Sequence, residues 1–438
     1  MVLRVALPSP MEMKLQVKSV SAKVRRFVIL DALRGIAGLS VPLFHLFEPL
    51  VGRKAAPVES IVGHGYLAVE FFLLLMGYML GYAYDRRWQD GMGAVAFFKR
   101  RLIRLHPLVI SGVLLGLVVV LAQPEIGGQW ARWMKGASVF ETVLVALWAM
   151  TMVPVVGYGM INPFNACSWT LYYEYAGNVL YALVIRRMGK KALLAGSLVA
   201  AFLWLAYVLH VNLNGIFGTH LALFDEVAAN ARWSIVCGWK DSPAHLYGGA
   251  VRLMFPLFFG LLLSRLGWRI RIPKGGHWIA VAVFVAILYT PYSYRLGGEG
   301  HYWVNALFEA FALMVVFPLL ILVGVGTPVE GDAPLSRTFG FLAELSYPLY
   351  MSHYMFMYMY GWWIKNRSLD YSGPVVTAVC VTTYFGVILV AWLMMRYWDR
   401  PVQSFFGWKE KRRKSRWSFS TTKNTPRGTN KITPGCPW

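Results

Sequence analysis

The chain is short of charged residues, and acidic residues are especially scarce. Only 15% of its 438 residues are Asp, Glu, Lys or Arg, whereas 57% are hydrophobic. Soluble domains carry about 25% charged residues, so the composition excludes an ordinary soluble domain. Several apolar runs reach about the 20 residues that a helix needs to cross a bilayer. We therefore predict an all-α polytopic membrane protein.

Cysteines are also few. Cys167, Cys237, Cys380 and Cys436 are scattered and form no CxxC pair, which argues against a disulfide framework and against a zinc site. We predict no metal site and no bound cofactor, and we interpret Cys167 and Cys380 as packing residues. The sequence shows no internal repeat, so it offers no support for a transporter built from inverted halves.

Basic residues, in contrast, are abundant. The chain has 43 Lys and Arg against 21 Asp and Glu, a formal net charge of +22. These residues lie in short loops and tails between apolar runs, which is the distribution expected of cytoplasmic loops in membrane proteins. No globular segment is long enough to bind nucleic acid. We predict no nucleic-acid partner and assign the charge to topology and to contact with membrane lipids.

The basic segments also limit the number of crossings. Segments 1–26, 85–104 and 186–191 should all be cytoplasmic, and three candidate spans lie between the last two. Because 85–104 and 186–191 are predicted on the same side, an even number of crossings must separate them. One of the three candidates therefore does not cross. We assign this role to 138–157, which contains Glu141, as a re-entrant or peripheral helix. The candidate spans are 28–48, 63–84, 105–122, 138–157, 166–185, 192–211, 246–264, 277–292, 302–325, 341–362 and 375–396.

This parity predicts about ten transmembrane helices plus one re-entrant or peripheral helix, with both termini in the cytoplasm. Three segments follow from the charge and hydropathy. They are a basic cytoplasmic tail over 1–26, a transmembrane domain over 27–402, and a basic, disordered cytoplasmic tail over 403–438.

The first candidate span carries a polar stripe. At 100° per residue, Arg34 and His45 lie about 20° apart on the helix, and Asp31 and Glu48 lie within about 60° of the same line. Charge inside a membrane is costly, so such a stripe is a functional-site hypothesis by default. A neutral His is a natural general base for a hydroxyl near neutral pH. Glu48 or a carboxylate from another helix would orient the imidazole; the alternative is a packing histidine.

Arg34 keeps its charge and needs an anion. The candidates are Asp31, Glu70, Glu174 or a ligand, and a purely structural Asp31–Arg34 pair is the alternative. Glu70 lies deep in the second span, where an isolated carboxylate would have to be paired or protonated. Gly77 in the same span begins a GxxxG spacing, which permits close helix approach.

Two further regions carry polar residues in apolar surroundings. Arg101 and Arg104 share one helix face at the i, i+3 spacing, and guanidinium groups bind phosphate bidentately; the alternative is plain topology anchoring. Later candidates lie near the starts of two other spans. They are Trp169, Tyr173 and Glu174 in 166–185, and Ser346 and His353 in 341–362.

Five of these segments, in order along the chain, resemble motifs of the acyltransferase-3 family of integral membrane acyltransferases. They are DALRGIAGLSVPLFH, GYLAVEFFLLLMGYMLGYAY, RLIR, CSWTLYYE and LSYPLYMSH. The resemblance runs from about residue 27 to 402. Met76 and Thr170 stand where the family often has Ser.

The resemblance implies ten spans and transfer of an acyl group, commonly acetyl, from cytoplasmic acetyl-CoA to a hydroxyl of a sugar or related acceptor. It implies that His45 is the catalytic residue and that Arg34, Arg101 and Arg104 bind the donor. The implied co-substrate is acyl-CoA, and the implied acceptor is a glycan or a lipid-linked sugar. A bacterial inner membrane is the expected location, with a homo-oligomer or polysaccharide-assembly proteins as further partners.

The sequence therefore predicts a membrane O-acyltransferase. We assign His45, Glu174 and Asp31 to catalysis and the three arginines to donor binding. Two alternatives stay open: a transporter or flippase for a sugar or lipid, and a non-catalytic partner of a polysaccharide synthase. The further candidate site residues are Glu48, Glu70, Trp169, Tyr173, Ser346 and His353.

Overall fold

The structure is a computed structural model. It describes residues 27–47, 62–126, 136–230, 234–273, 275–291, 303–327, 333–367 and 373–407. The predicted N-terminal tail (1–26), Glu48, and residues 408–438 of the predicted C-terminal tail lie outside the described residues.

Helices account for nearly all regular structure, and the described ranges contain no β-strand. This confirms an all-α polytopic membrane protein. A 3-10 turn, Ala166–Ser168, precedes α5, and π-helical turns, Ala312–Val316 and Met395–Asp399, follow α11 and α14. The helices are α1 Val28–Phe47, α2 Leu67–Gln89, α3 Ala94–Ala122, α4 Val139–Met150, α5 Trp169–Leu183, α6 Lys190–Val208, α7 Leu213–Phe217, α8 Ala222–Asn230, α9 Pro243–Leu266, α10 His277–Tyr289, α11 Trp303–Phe311, α12 Phe317–Gly326, α13 Ala333–Lys365 and α14 Pro374–Met394.

Each of the eleven predicted runs contains a helix. Within the described ranges, seven helices are long and apolar enough to cross a membrane: Val28–Phe47, Leu67–Gln89, Ala94–Ala122, Lys190–Val208, Pro243–Leu266, Trp303–Gly326 and Pro374–Gly407. The last helix continues to residue 407, beyond the predicted domain boundary at 402. The figure of ten crossings stays a prediction.

Helix α4 is short, and it begins at a serine that caps it. The side chain of Ser138 accepts a hydrogen bond from the backbone N–H of Glu141 at 3.1 Å, which caps the helix. The helix has 12 residues, or about 18 Å at 1.5 Å per residue, well below the roughly 30 Å hydrocarbon core. This length fits the predicted re-entrant or peripheral role of 138–157. Helix α10 has 13 residues and is shorter than the crossing predicted for it.

Glycines set the two closest helix pairs. A Cβ on Gly35 of α1 would lie 2.5 Å from the Leu342 side chain of α13, and one on Gly38 would lie 2.6 Å from Ser346. In α2, a Cβ on Gly77 would lie 2.7 Å from the carbonyl oxygen of Pro256 in α9. Backbones therefore approach as small-residue motifs permit. The α1–α13 pair places the polar stripe of the first helix beside the late SYPLYMSH segment.

Candidate active site

A cavity opens between α1, α2, α3, α5 and α13. Its volume is about 150 Å³. Its α2 wall is apolar, with Phe72, Met76 and Leu80 among the lining residues. Its polar lining comes from the other helices and from one tyrosine of α2. These residues are Arg34, Tyr84, Arg101, Arg104, Thr170, Glu174, Ser346, Tyr347 and Tyr350.

The cavity is positively charged. Three guanidinium groups line it, whereas Glu174 contributes the one carboxylate among the lining residues. Arg101 is buried and forms an ion pair with Glu174. Arg34 donates from Nη2 to the carbonyl oxygen of Ala343 at 3.4 Å. Because three guanidinium groups and one carboxylate line the cavity, its lining suits an anionic ligand, and arginines suit phosphate in particular.

Tyrosines and a serine of α13 shape the cavity wall. The hydroxyl of Tyr347 donates to the carbonyl oxygen of Leu105 at 2.7 Å, which ties α13 to the arginine-bearing helix α3. The hydroxyl of Ser346 donates to the carbonyl oxygen of Ala343 at 2.8 Å. The Tyr347 bond thus joins two helices that line the cavity, whereas the Ser346 bond lies within α13.

A second cluster joins His45, Cys167 and His353. The Cys167 sulfur lies 3.6 Å from Nε2 of His45 and 3.4 Å from Nε2 of His353. The two imidazole rings are stacked with centroids 5.4 Å apart. His353 is 0% exposed and Cys167 is 5% exposed, whereas His45 is only partly buried. The thiol sulfur therefore lies within 3.6 Å of a nitrogen of each imidazole, and His45 is the less enclosed of the two rings.

The tautomer of neutral His353 follows from its backbone contact. Its Nδ1 lies 3.1 Å from the carbonyl oxygen of Leu349. A carbonyl oxygen only accepts, so Nδ1 carries the proton and Nε2 presents its lone pair to Cys167. The contact also holds the ring in place. Neutral His353 is thereby oriented to accept the thiol proton.

The cluster adjoins the cavity through the backbone of Cys167. The hydroxyl of Tyr350 donates to the carbonyl oxygen of Cys167 at 2.9 Å, and the Thr170 hydroxyl lies 3.2 Å from the same atom. Both hydroxyls belong to cavity-lining residues. Asn165 donates from Nδ2 to the carbonyl oxygen of Met351 at 2.8 Å. The turn that carries Cys167 is thus fixed to α13 directly behind the cavity wall.

The three arginines predicted for donor binding meet in the cavity, together with Glu174 and Ser346. His45 and His353 meet in the neighbouring cluster. The sequence proposed Arg34 or His45 as the partner of Glu174, whereas the structure pairs it with Arg101. Asp31 is buried in the first turn of α1 and does not line the cavity.

Glu70, Trp169 and Tyr173 lie in a different cluster, built around Arg252. The Nε of Arg252 donates to Glu70 at 2.5 Å, and its guanidinium lies 4.6 Å from the centre of the Trp169 ring. Tyr173 donates to the carbonyl oxygen of Leu246 at 3.0 Å. Glu70 is one of the predicted partners of Arg34. The structure instead pairs its carboxylate with Arg252, on another helix. The sequence analysis missed Arg252, although an Arg within an apolar span is itself the signal.

From the sequence alone, Cys167 is interpreted as a packing residue. The structure brings its thiol to two imidazoles that are 122 and 186 residues away in the sequence, so no local spacing could reveal the contact. Their ligand atoms lie within 4.8 Å of one another, and no other group of three His, Cys, Asp or Glu in the described ranges is so close. One thiolate and two imidazoles are ligands that Zn²⁺ accepts, so this is where the chain could hold a metal ion.

These features define a class, an integral membrane protein with a cationic cavity beside a buried histidine and cysteine cluster. Residues 27–396 match the family model Acyl_transf_3, which is described as an acyltransferase domain. The chain therefore belongs to this family, and it is a multi-pass membrane protein. The match covers the region over which the five motifs resembled the family.

A curated relative supports the assignment over a shorter stretch. The chain is 37% identical over 91 residues to "Protein 2 in picA locus" of Rhizobium radiobacter. The matched stretch is 20% of this chain and 44% of that protein's length. No solved structure matches.

Proposed function

We propose that this acyltransferase moves an acetyl group from acetyl-CoA to a hydroxyl of a glycan or lipid-linked sugar, with His45 as general base. The observation that carries the proposal is the adjacency of a three-arginine cavity to the His45 cluster. The first feature suits the phosphates of CoA and the second suits proton transfer. The acceptor class rests on the family resemblance.

The cavity supports the donor assignment by charge and by shape. Arg101 and Arg104 sit on the same face of α3, and Arg34 reaches the cavity from α1. Bidentate guanidinium contacts would hold the CoA phosphates. The apolar α2 wall would accommodate the uncharged pantetheine arm.

The spacing of Arg34 and His45 along α1 supports a donor that extends from the arginines toward the histidine cluster. Arg34 and His45 are eleven residues apart, which is about 17 Å along a helix. CoA likewise separates its phosphates from its thioester by the pantetheine arm. With the phosphates at Arg34, the thioester would extend toward the histidine cluster.

His45 is the partly exposed member of that cluster, so it is the imidazole that an acceptor could reach. In the proposed reaction its neutral ring takes the proton of the acceptor hydroxyl as the oxygen attacks the acyl thioester. A positioned base contributes about 10²–10⁴-fold to such a step. We place the protein in a bacterial inner membrane with donor entry from the cytoplasm.

The test uses the full-length protein in lipid nanodiscs with radiolabelled acetyl-CoA. Membranes of a bacterial expression host serve as the acceptor source. We expect label to enter the glycan or glycolipid fraction with release of CoA thiol, and we expect His45→Ala to abolish both. Transfer that is unaffected by His45→Ala would contradict the base assignment. Absence of any acyl transfer by the wild-type protein would contradict the proposed activity.

A further inference from the structure

We infer that Cys167 carries the acyl group as a covalent thioester during the reaction. The inference rests on the proposed function and adds an intermediate to it. A thiol, a base within hydrogen-bond reach and a third group that orients the base form the signature of nucleophilic catalysis. Here these are Cys167, His353 at 3.4 Å and the carbonyl oxygen of Leu349.

A buried cysteine that only packs is inert and has apolar neighbours. Cys167 instead has two imidazole nitrogens within 3.6 Å of its sulfur. It also lies in the turn immediately before α5, a helix of 15 residues. The N-terminus of a helix favours negative charge, which supports a thiolate at this position. Two independent features therefore favour a reactive thiol.

In the proposed reaction the acyl group reaches the thiol from the cavity side. The carbonyl oxygen of Cys167 contacts the hydroxyls of Tyr350 and Thr170, and both residues line the cavity. The backbone of the residue that bears the thiol is therefore one contact away from the cavity lining. The hydroxyl of Tyr350 holds the backbone of the nucleophile in place and lies at the border between donor cavity and cluster.

The first half-reaction is a thioester exchange. Nε2 of His353 takes the Cys167 proton, and the thiolate attacks the acyl carbonyl of the donor. The bond between the acyl carbon and the CoA sulfur breaks, and the CoA thiolate leaves with the proton from His353. One thioester replaces another, so no oxidant, reductant or further reagent is needed.

The second half-reaction uses the other imidazole. Nε2 of His45 takes the proton of the acceptor hydroxyl, and the oxygen attacks the acyl carbonyl on Cys167. The carbon–sulfur bond breaks, and the Cys167 thiolate recovers the proton from His45. The buried histidine thus serves the nucleophile, and the partly exposed histidine serves the acceptor.

The decisive experiment needs no acceptor. Wild-type protein in nanodiscs is mixed with acetyl-CoA and radiolabelled free CoA, and the transfer of label into acetyl-CoA is followed. A covalent intermediate makes this exchange possible, whereas direct transfer to an acceptor does not. We expect exchange by the wild type and loss of at least 100-fold in Cys167→Ala and Cys167→Ser. We expect His45→Ala to lose less exchange than His353→Ala, because the first half-reaction uses His353 as its base.

A trapping experiment locates the acyl group. After reaction with radiolabelled acetyl-CoA and denaturation, label should map to the Cys167 peptide and be released by neutral hydroxylamine. Cys380→Ala is the matched control, since its sulfur contacts Tyr360 in another part of the bundle, and it should keep the label. Thermal unfolding of each variant confirms that it is folded.

Four results would overturn the inference. Acyl transfer to acceptor by Cys167→Ala at more than about a tenth of the wild-type rate would establish direct transfer and leave the proposed function standing. Absence of exchange by a wild type that does transfer to acceptor would do the same. One zinc ion per wild-type chain, lost with activity in Cys167→Ser, would make the cluster a metal site. A wild type with neither exchange nor transfer would refute both the intermediate and the proposed function.

Discussion

The Nε2 atom of His353 lies 3.4 Å from the sulfur of Cys167, although the two residues are 186 positions apart in the chain. His353 is held from its other side by the carbonyl oxygen of Leu349. The late SYPLYMSH segment thus contributes a base that faces the start of α5. The two histidines of the cluster can therefore be distinguished by experiment. His353 is fully buried and has a partner at each ring nitrogen, Leu349 and Cys167, whereas His45 is only partly buried.

The first prediction concerns His45. We expect His45→Gln to lower transfer to the acceptor by about 10²–10⁴-fold, since the hydroxyl loses its proton acceptor. Donor binding should be nearly unchanged, because the predicted phosphate contacts are elsewhere. Steady-state transfer and equilibrium binding of acetyl-CoA measure the two effects. His220→Gln is the matched control, since this histidine is exposed. Retention of more than about a tenth of wild-type turnover would move the assignment away from His45.

The second prediction concerns the arginines. Arg104→Ala and Arg34→Ala should raise KM for acetyl-CoA more than KM for the acceptor. A hydrogen bond to a charged group is worth about 1.5–3 kcal/mol, which corresponds to roughly 10–150-fold. Arg86→Ala removes an equal charge from an exposed position at the end of α2 and should have little effect. Equal effects of all three substitutions would make the arginines topology anchors.

Dephospho-CoA thioesters refine this measurement. If a guanidinium binds the ribose phosphate, the acetyl thioester of dephospho-CoA should lose part of its sensitivity to one arginine variant. If every arginine variant weakened binding of the dephospho-CoA thioester as much as it weakens binding of acetyl-CoA, none of these arginines would contact that phosphate.

The third prediction concerns the ion pair between Arg252 and Glu70, whose side chains are 3% and 0% exposed. Removing one partner of a buried pair costs about 3–5 kcal/mol, because the other charge stays buried. We expect Arg252→Met to lower the unfolding midpoint in detergent strongly. The double variant with Glu70→Gln should recover part of the loss. The matched control is Arg400→Met, which breaks the exposed pair with Glu344 and should cost at most about 1 kcal/mol.

The fourth prediction concerns topology. Gly189 and Gly215 have open space where a Cβ would be added, so cysteines are tolerated at both. With ten crossings, a membrane-impermeant thiol reagent should label Gly215→Cys from outside intact cells and should label Gly189→Cys only after permeabilisation. Labelling of the parent protein gives the background from the native cysteines. Equal access to both positions from outside would refute the predicted parity.

The class and the helices were predictable from the sequence. Long apolar runs must bury their backbone polar groups inside helices once they lie in lipid, and each of the eleven predicted runs contains a helix. The order of the motifs predicted the family over about 27–402, and the family model matches 27–396. The α1 stripe was also predictable, because helical periodicity alone puts Arg34 and His45 on one side.

Only the tertiary structure decided the partners across helices. It pairs Glu174 with Arg101 and Glu70 with Arg252, and it brings the Cys167 thiol to two histidines. Spacing within a helix fixes which residues share its face, whereas the neighbour of that face depends on how helices cross. Close approaches at Gly38 and Gly77 set those crossings. For this reason the sequence by itself identified the family and most of the polar residues that line the cavity, whereas only the packed bundle placed a cysteine assigned to packing beside two histidines.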